Sequence, residues 1–91
     1  MSELIETRKK IEEIDMEMAA LFVKRMACAK EIAAYKRRNN IPILDQGRER
    51  ELLEKNEKYI DDTLLRPYYR QLMQAVLDIS KQYQHELNRD I

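Results

Sequence analysis

The most constraining feature of the sequence is the stretch 3–39, which contains neither glycine nor proline and keeps a helical period of apolar residues. A helix of this length is about 55 Å long, whereas a compact chain of 91 residues is roughly 30 Å across. One heptad series in the stretch is Leu4, Ile11, Met18, Arg25 and Ile32, and its companion is Thr7, Ile14, Leu21, Cys28 and Tyr35. The length predicts that a second copy of the chain covers this stripe, most simply in a twofold dimer. A frayed or kinked helix in a monomer is the alternative.

The rest of the chain predicts two shorter helices. Asn39-Asn40 followed by Ile41-Pro42 ends the first helix, because the residue before proline is disfavoured in helical conformation. Asp45 is the expected N-cap of a second helix over 46–59. The segment 61–63, Asp-Asp-Thr, is the expected cap of a third helix over 63–87, with Pro67 near its first turn. The prediction is an all-α fold in a single domain over 1–91.

Apolar residues indicate which face of each shorter helix is buried. Leu52 and Leu53 are expected on the inner face of the second helix. The predicted stripe of the third helix consists of Leu65, Tyr68, Leu72, Val76, Ile79, Tyr83 and Leu87.

Composition excludes several classes of function. Seventeen basic residues balance seventeen acidic ones, which argues against a general nucleic-acid binder. No segment approaches the roughly 18 apolar residues of a membrane span. A single cysteine, Cys28, allows no intrachain disulfide and suits a reducing compartment, and with one histidine it makes a His/Cys metal site improbable. We therefore expect a cytoplasmic protein without metal or cofactor.

Two cationic residues on the first helix stand out. Arg25 occupies a stripe position, where a buried guanidinium needs an anion or an acceptor; an ion pair or a snorkelling side chain is the alternative. Lys36 lies about 20° around and about 16 Å along the helix from Arg25. The pair could hold the two ends of a small dianion, although spacing alone favours a solvated lysine at a helix C-terminus, where cations are stabilised. Arg8, about 25 Å from Arg25, could approach it only from the other chain of an antiparallel dimer. An ordinary exposed arginine is the alternative.

Further polar candidates lie on the second and third helices. Arg48 and Glu49 open the second helix as an anion-binding and hydroxyl-accepting pair, or simply compensate the helix dipole. Ser80 and Gln84 stack on one face of the third helix, where they could contact a ligand or mark the edge of the apolar stripe. Cys28 fits a small core position, and nothing in the sequence supplies a base to make it a nucleophile.

Taken together, these residues resemble the all-helical chorismate mutase family over about 4–84. The matching elements are Leu4-x3-Arg8-x2-Ile11-x2-Ile14-Asp15, Leu21-x3-Arg25, Glu31-Ile32 with Lys36, Pro42-Ile43-x-Asp45-x2-Arg48-Glu49, and Ser80-x3-Gln84. Two departures are Ala33, where many relatives have glycine, and Pro67 early in the third helix. A second register, with Tyr69 at the common aromatic position, places Val76 and Ser80 where serine and glutamine are expected.

The resemblance implies three helices per chain in an intertwined homodimer, with two sites built from both chains. It implies the intramolecular [3,3] rearrangement of chorismate to prephenate, a shikimate-pathway step towards phenylalanine and tyrosine. Such a reaction needs no metal, cofactor or covalent intermediate. The enzyme holds a dicarboxylate in its reactive conformer and stabilises charge as the ether bond lengthens.

The resemblance also implies roles for the residues that bind the carboxylates. Arg25 and Arg8 of the partner subunit would clamp them through bidentate hydrogen bonds. Arg48 and Ser80 would help to position the substrate.

The remaining implied roles concern the reacting atoms. Lys36 and Gln84 would donate to the ether oxygen, and Glu49 would accept from the ring hydroxyl beside the Asp45 backbone. Lys36, Gln84, Arg25 and Glu49 are thus the implied catalytic residues.

The sequence leaves two other interpretations open. An isochorismate-pyruvate lyase has a similar fold and cationic clamp, but the Arg48-Glu49 pair favours the mutase. A non-catalytic helical module, for regulation or dimerisation, gives no reason for Arg25 in the apolar stripe.

Overall fold

The computed structural model describes residues 2–89 and contains three helices in that range, α1 (Ser2–Arg38), α2 (Gln46–Glu57) and α3 (Arg66–Asn88). No strand is found among these residues, so the predicted all-α class is confirmed. Each helix boundary lies within three residues of its predicted position. The predicted domain over 1–91 also includes positions outside the described range. None of the described helices is long and apolar enough to cross a membrane.

The end of α1 is a Schellman motif. The Lys36 carbonyl accepts from the Ile41 N–H at 2.8 Å and the Arg37 carbonyl accepts from the Asn40 N–H at 3.3 Å. Asn40 has a φ of 55°, a left-handed conformation that asparagine tolerates better than most residues. The prediction that the two asparagines end the first helix is confirmed.

Asp45 begins α2 as predicted. Its backbone is extended and its carboxylate accepts from the Arg48 N–H at 3.0 Å, which satisfies one of the unpaired donors of the first turn.

The predicted cap of the third helix is wrong. The Asp62 carboxylate accepts from the Leu64 N–H at 2.9 Å and so forms a turn before the helix. The helix itself begins at Arg66, and Leu65 at its N-cap makes no side-chain capping bond. Pro67 lies in the first turn, as predicted. The helix begins later because Asp62 stabilises a turn that competes with the first helical residues.

α3 packs between the other two helices. It runs parallel to α1, because Arg25, Ala29 and Ala33 of α1 contact residues of α3 at a constant separation of 55 positions. It runs antiparallel to α2, because Glu49 at the start of α2 pairs with Lys81 of α3 and Glu57 at the end of α2 pairs with Arg70.

The face of α3 that packs within the chain differs from the predicted stripe. Its buried residues are Leu77, Ser80 and Gln84, whereas Leu72 and Ile79 of the predicted stripe are exposed. The polar Ser80 and Gln84 find hydrogen-bond partners on α1, and this is why they tolerate burial. Val76, Tyr83 and Leu87 of the stripe are half-buried, so the chain covers the predicted stripe only in part.

The first half of α1 extends beyond the rest of the chain. The molecule measures 56 × 27 × 14 Å, and every residue of α1 from Ser2 to Lys24 is exposed. The exposed large apolar residues of α1 are Leu4, Ile5, Ile11, Ile14, Met16, Met18, Leu21, Phe22, Val23, Ile32 and Tyr35. A single chain therefore leaves the predicted stripe uncovered, as its length implied.

Candidate active site

A half-open cavity of about 420 Å³ lies where the second half of α1, the start of α2 and the second half of α3 meet. Seven of the eight residues singled out in the sequence line it, namely Arg25, Lys36, Asp45, Arg48, Glu49, Ser80 and Gln84. The apolar part of the lining consists of Ile32, Ile43, Leu52 and Leu77. The eighth residue, Arg8, lies on the exposed half of α1 and does not line the cavity of its own chain.

Arg25 is held at the cavity by α3. It is half-buried, and its Nη1 donates to the Ser80 Oγ at 2.8 Å. A guanidinium has five N–H donors in a planar fork. This bond therefore fixes the orientation of Arg25 while leaving donor capacity for an anion.

Lys36 is held by the segment that follows its own helix. Its Nζ donates to the Ile43 carbonyl at 2.8 Å, and the side chain is half-buried. The turn at Asn40 brings this carbonyl back over the last turn of α1. Because a carbonyl orients the ammonium without neutralising it, Lys36 keeps a full positive charge and further hydrogens for a ligand.

Gln84 is the buried neutral donor of the site. It is 6% exposed, and its Nε2 donates to the Ala29 carbonyl at 2.9 Å. Ala29 and Ala33 are the buried residues of α1, and their small side chains let α3 approach the α1 backbone closely. An amide nitrogen carries two hydrogens, so Gln84 has a second one to offer.

The first turn of α2 supplies the remaining charged groups. Asp45 caps the helix, Arg48 is exposed and lies 4.0 Å from Glu51, and Glu49 is largely shielded from solvent. The Asp45 and Glu49 carboxylates are both favoured at a helix N-terminus by the dipole.

Lys81 lines the same cavity and was missed in the sequence. Its Nζ lies 3.0 Å from the Glu49 Oε1 and 3.5 Å from the Asp78 Oδ1. The hydrogen bond to Glu49 is the main cause that raises the pKa of Lys81 above its ordinary value, against the opposing effect of burial. The sequence contains one indication of this role, because Lys81 lies three residues before Gln84 and so neighbours it on the helix surface.

Cys28 is not the core residue predicted from the sequence. It is exposed and lines the cavity, because the α1 face beside Arg25 borders open space there. For α3, both Ser80 and Gln84 line the cavity, whereas Val76 is half-buried and outside the lining, which favours the Ser80 and Gln84 register.

The cavity has an excess of positive charge. Four cationic side chains and two carboxylates line it, so its formal charge opposes that of a dianion. Fixed cations beside a neutral amide donor suit the binding of a small dicarboxylate and the stabilisation of negative charge that develops during a reaction.

Comparisons with known proteins bear on the same residues. The family model described as chorismate mutase type II matches residues 7–85. The chain is 31% identical over 91 residues to the chorismate mutase of Methanocaldococcus jannaschii, covering 94% of this chain and 92% of that protein. It is 37% identical over 89 residues to the bifunctional chorismate mutase/prephenate dehydratase of Aquifex aeolicus, covering 89% of this chain but only 25% of that protein. No solved structure matches.

Proposed function

This chain belongs to the chorismate mutase type II family, as its sequence predicted, and from that membership we propose how its own residues rearrange chorismate to prephenate. The function that the family and its relatives support is that of an isomerase acting on chorismate. The reaction breaks an ether C–O bond and forms a C–C bond within one molecule. The protein has to select the reactive conformer and stabilise the charge that grows on the ether oxygen.

Arginines bind the two carboxylates of chorismate in this proposal. Arg25, oriented by Ser80, takes one of them through its remaining donors. Arg8 of the partner subunit reaches the site across the dimer interface and binds a carboxylate as well. Arg48 and Ser80 complete the positioning of the substrate, with Arg48 closing over it from the exposed edge of α2.

Lys36 and Gln84 stabilise the transition state. Both are already bound to main-chain carbonyls, of Ile43 and Ala29, so little reorganisation is needed when negative charge develops on the ether oxygen. Lys36 contributes a full charge, and Gln84 contributes a neutral donor from the buried side of the cavity.

Glu49 accepts a hydrogen bond from the ring hydroxyl of the substrate. Its Oε1 is bound by Lys81, and the other carboxylate oxygen provides further acceptor capacity. Asp45 holds the first turn of α2 in place and so sets the position of Glu49.

A homodimer completes the site. The exposed apolar residues of α1, together with the exposed Leu72 and Ile79 of α3, form more apolar surface than an isolated small protein usually shows. An antiparallel pairing of two α1 helices would cover this surface and would bring Arg8 of the partner subunit towards Arg25. Each dimer then contains two equivalent sites. The exposed thiol of Cys28 supports a reducing, cytoplasmic location.

The placement of seven residues around one cavity carries this proposal. We expect purified protein to convert chorismate to prephenate. The loss of chorismate absorbance measures the rate, and product analysis identifies prephenate. Isochorismate in a parallel reaction distinguishes the lyase of similar fold. Pyruvate from isochorismate without prephenate from chorismate would assign the lyase instead, and no reaction with either by a folded dimer would favour a binding module.

A further inference from the structure

We propose that Lys81 is a positioning residue of the site, which orients the Glu49 carboxylate and offsets its charge so that a dianionic substrate can bind beside it. The inference rests on the proposed function. Lys81 acts through Glu49 and is not assigned a contact with the reacting atoms.

Glu49 and Lys81 lie on different helices and pair across the α2–α3 contact. Glu49 lies in the first turn of α2 and Lys81 in the second half of α3, with 3.0 Å between Nζ and Oε1. The Lys81 side chain is 29% exposed and the Glu49 side chain 17%, and both residues line the cavity. Lys81 also lies 3.5 Å from Asp78, which steadies the ammonium from its own helix. One Glu49 oxygen is thus held while the residue still lines the cavity.

Charge supplies the second reason. A bare carboxylate in a cavity for a dianion repels the substrate, because like charges in a partly dehydrated site interact strongly. With Lys81 the described cavity lining has two positive charges in excess, which match a dicarboxylate. Without Lys81 the excess falls to one. The positive charge at Lys81 therefore offsets the anionic hydroxyl acceptor at the point where it lies beside a dianionic ligand.

A purely structural role is the competing explanation, since the pair also ties α2 to α3. The chain contains a matched control, because Arg70 of α3 lies 3.2 Å from Glu57 at the other end of α2. Their side chains are 42% and 30% exposed, and neither residue lines the cavity. Removing Arg70 breaks a comparable tie without touching the site.

The experiment compares Lys81→Met with Arg70→Met in the full chain, measuring kcat, KM for chorismate and the melting temperature. We expect small and similar losses of melting temperature. We expect Lys81→Met to lower kcat/KM about tenfold, mainly through KM, as contacting charges typically couple on this scale. Arg70→Met should stay within about twofold of wild type. Lys81→Arg should recover most of the loss, and Lys81→Gln should not.

A double-mutant cycle with Glu49→Gln decides whether Lys81 acts through Glu49. In the Glu49→Gln background the further change Lys81→Met should cost less than about twofold in kcat/KM, because the carboxylate that needs offsetting is gone. An equal cost in both backgrounds, or an equal loss in the Arg70 variant, would overturn the role of Lys81. Wild-type protein that leaves chorismate unchanged would instead overturn the proposed function.

Discussion

At the scale of single residues, the main chain holds two donors of the site in place. Lys36 is bound to a carbonyl of the segment after its helix, and Gln84 to a carbonyl of α1. Main-chain acceptors fix an orientation, and they place no opposing charge beside Lys36, in contrast to a carboxylate partner. Such preorganised donors are the part of an active site whose removal costs most in turnover.

We expect Lys36→Ala to lower kcat for chorismate by at least about a hundredfold, the scale of losing one donor to a developing oxyanion. Arg37→Ala is the matched control, because Arg37 is exposed, neighbours Lys36 in sequence and does not line the cavity. Circular dichroism would verify that both variants keep their helices. A Lys36→Ala protein with more than half of the wild-type turnover would remove Lys36 from the catalytic role.

Residues differ in how far their place in the site could be predicted. Arg25 was noticeable because a charge interrupts an apolar stripe, and a polar residue in such a position needs a partner. Lys81 was not noticeable, because the chain has many lysines and only the fold brings this one to Glu49. The small size of Cys28 predicts a core position, but size carries no information about which side of α1 borders the cavity.

At the scale of the elements, the sharp end of α1 positions Lys36. The left-handed Asn40 turns the chain so that the Ile43 carbonyl meets the lysine ammonium. We expect Asn40→Val to destabilise the protein by about 1–2 kcal/mol, because a β-branched residue is strained at this φ, and to lower activity through Lys36. Asn40→Gly should be neutral or stabilising. Thermal unfolding compares the two, and equal melting temperatures would contradict the importance of the left-handed turn.

Helix boundaries were predictable where a local signal acts alone. Asp45 caps α2 as its position suggested, and its carboxylate accepts from the Arg48 N–H of the first turn. α3 began later than predicted because Asp62 is used in a preceding turn. The predicted apolar stripe of α3 is only partly covered, because apolar periodicity finds the most hydrophobic face, whereas the chain buries a mixed face with Leu77, Ser80 and Gln84.

At the scale of the whole molecule, the uncovered half of α1 connects assembly to activity. If Arg8 completes the site of a partner, then Arg8→Ala and Arg25→Ala proteins should each be inactive, and mixing them should restore activity. One site of each mixed dimer has neither substitution, so random exchange gives about a quarter of the wild-type activity. Mass spectrometry measures the exchange of chains, with one of the two variants isotope-labelled. Exchange without recovery would contradict the shared site, and so would substantial activity in the Arg8→Ala protein alone.

The length of the first helix was the most informative whole-molecule property in the sequence. It required an extent that the two shorter helices cannot cover, and the structure has that extent. The cavity itself could not be derived from length or periodicity, because it depends on the direction in which α3 lies against α1. That direction is set by three side-chain contacts at one constant offset, which only the folded chain reveals.

The contacts of Gln84 and Asn88 with α1 also bear on how this sequence can change over time. Both amides donate to carbonyls, of Ala29 and Ala33, which every amino acid carries. Ala29 and Ala33 are nearly inaccessible, with 5% and 1% exposure. The volume of the side chain is therefore restricted at positions 29 and 33, whereas its chemical type is not. Exchange among the smallest residues at these positions leaves the donor geometry intact. Any larger side chain there would separate two helices and so alter a pocket that it does not touch.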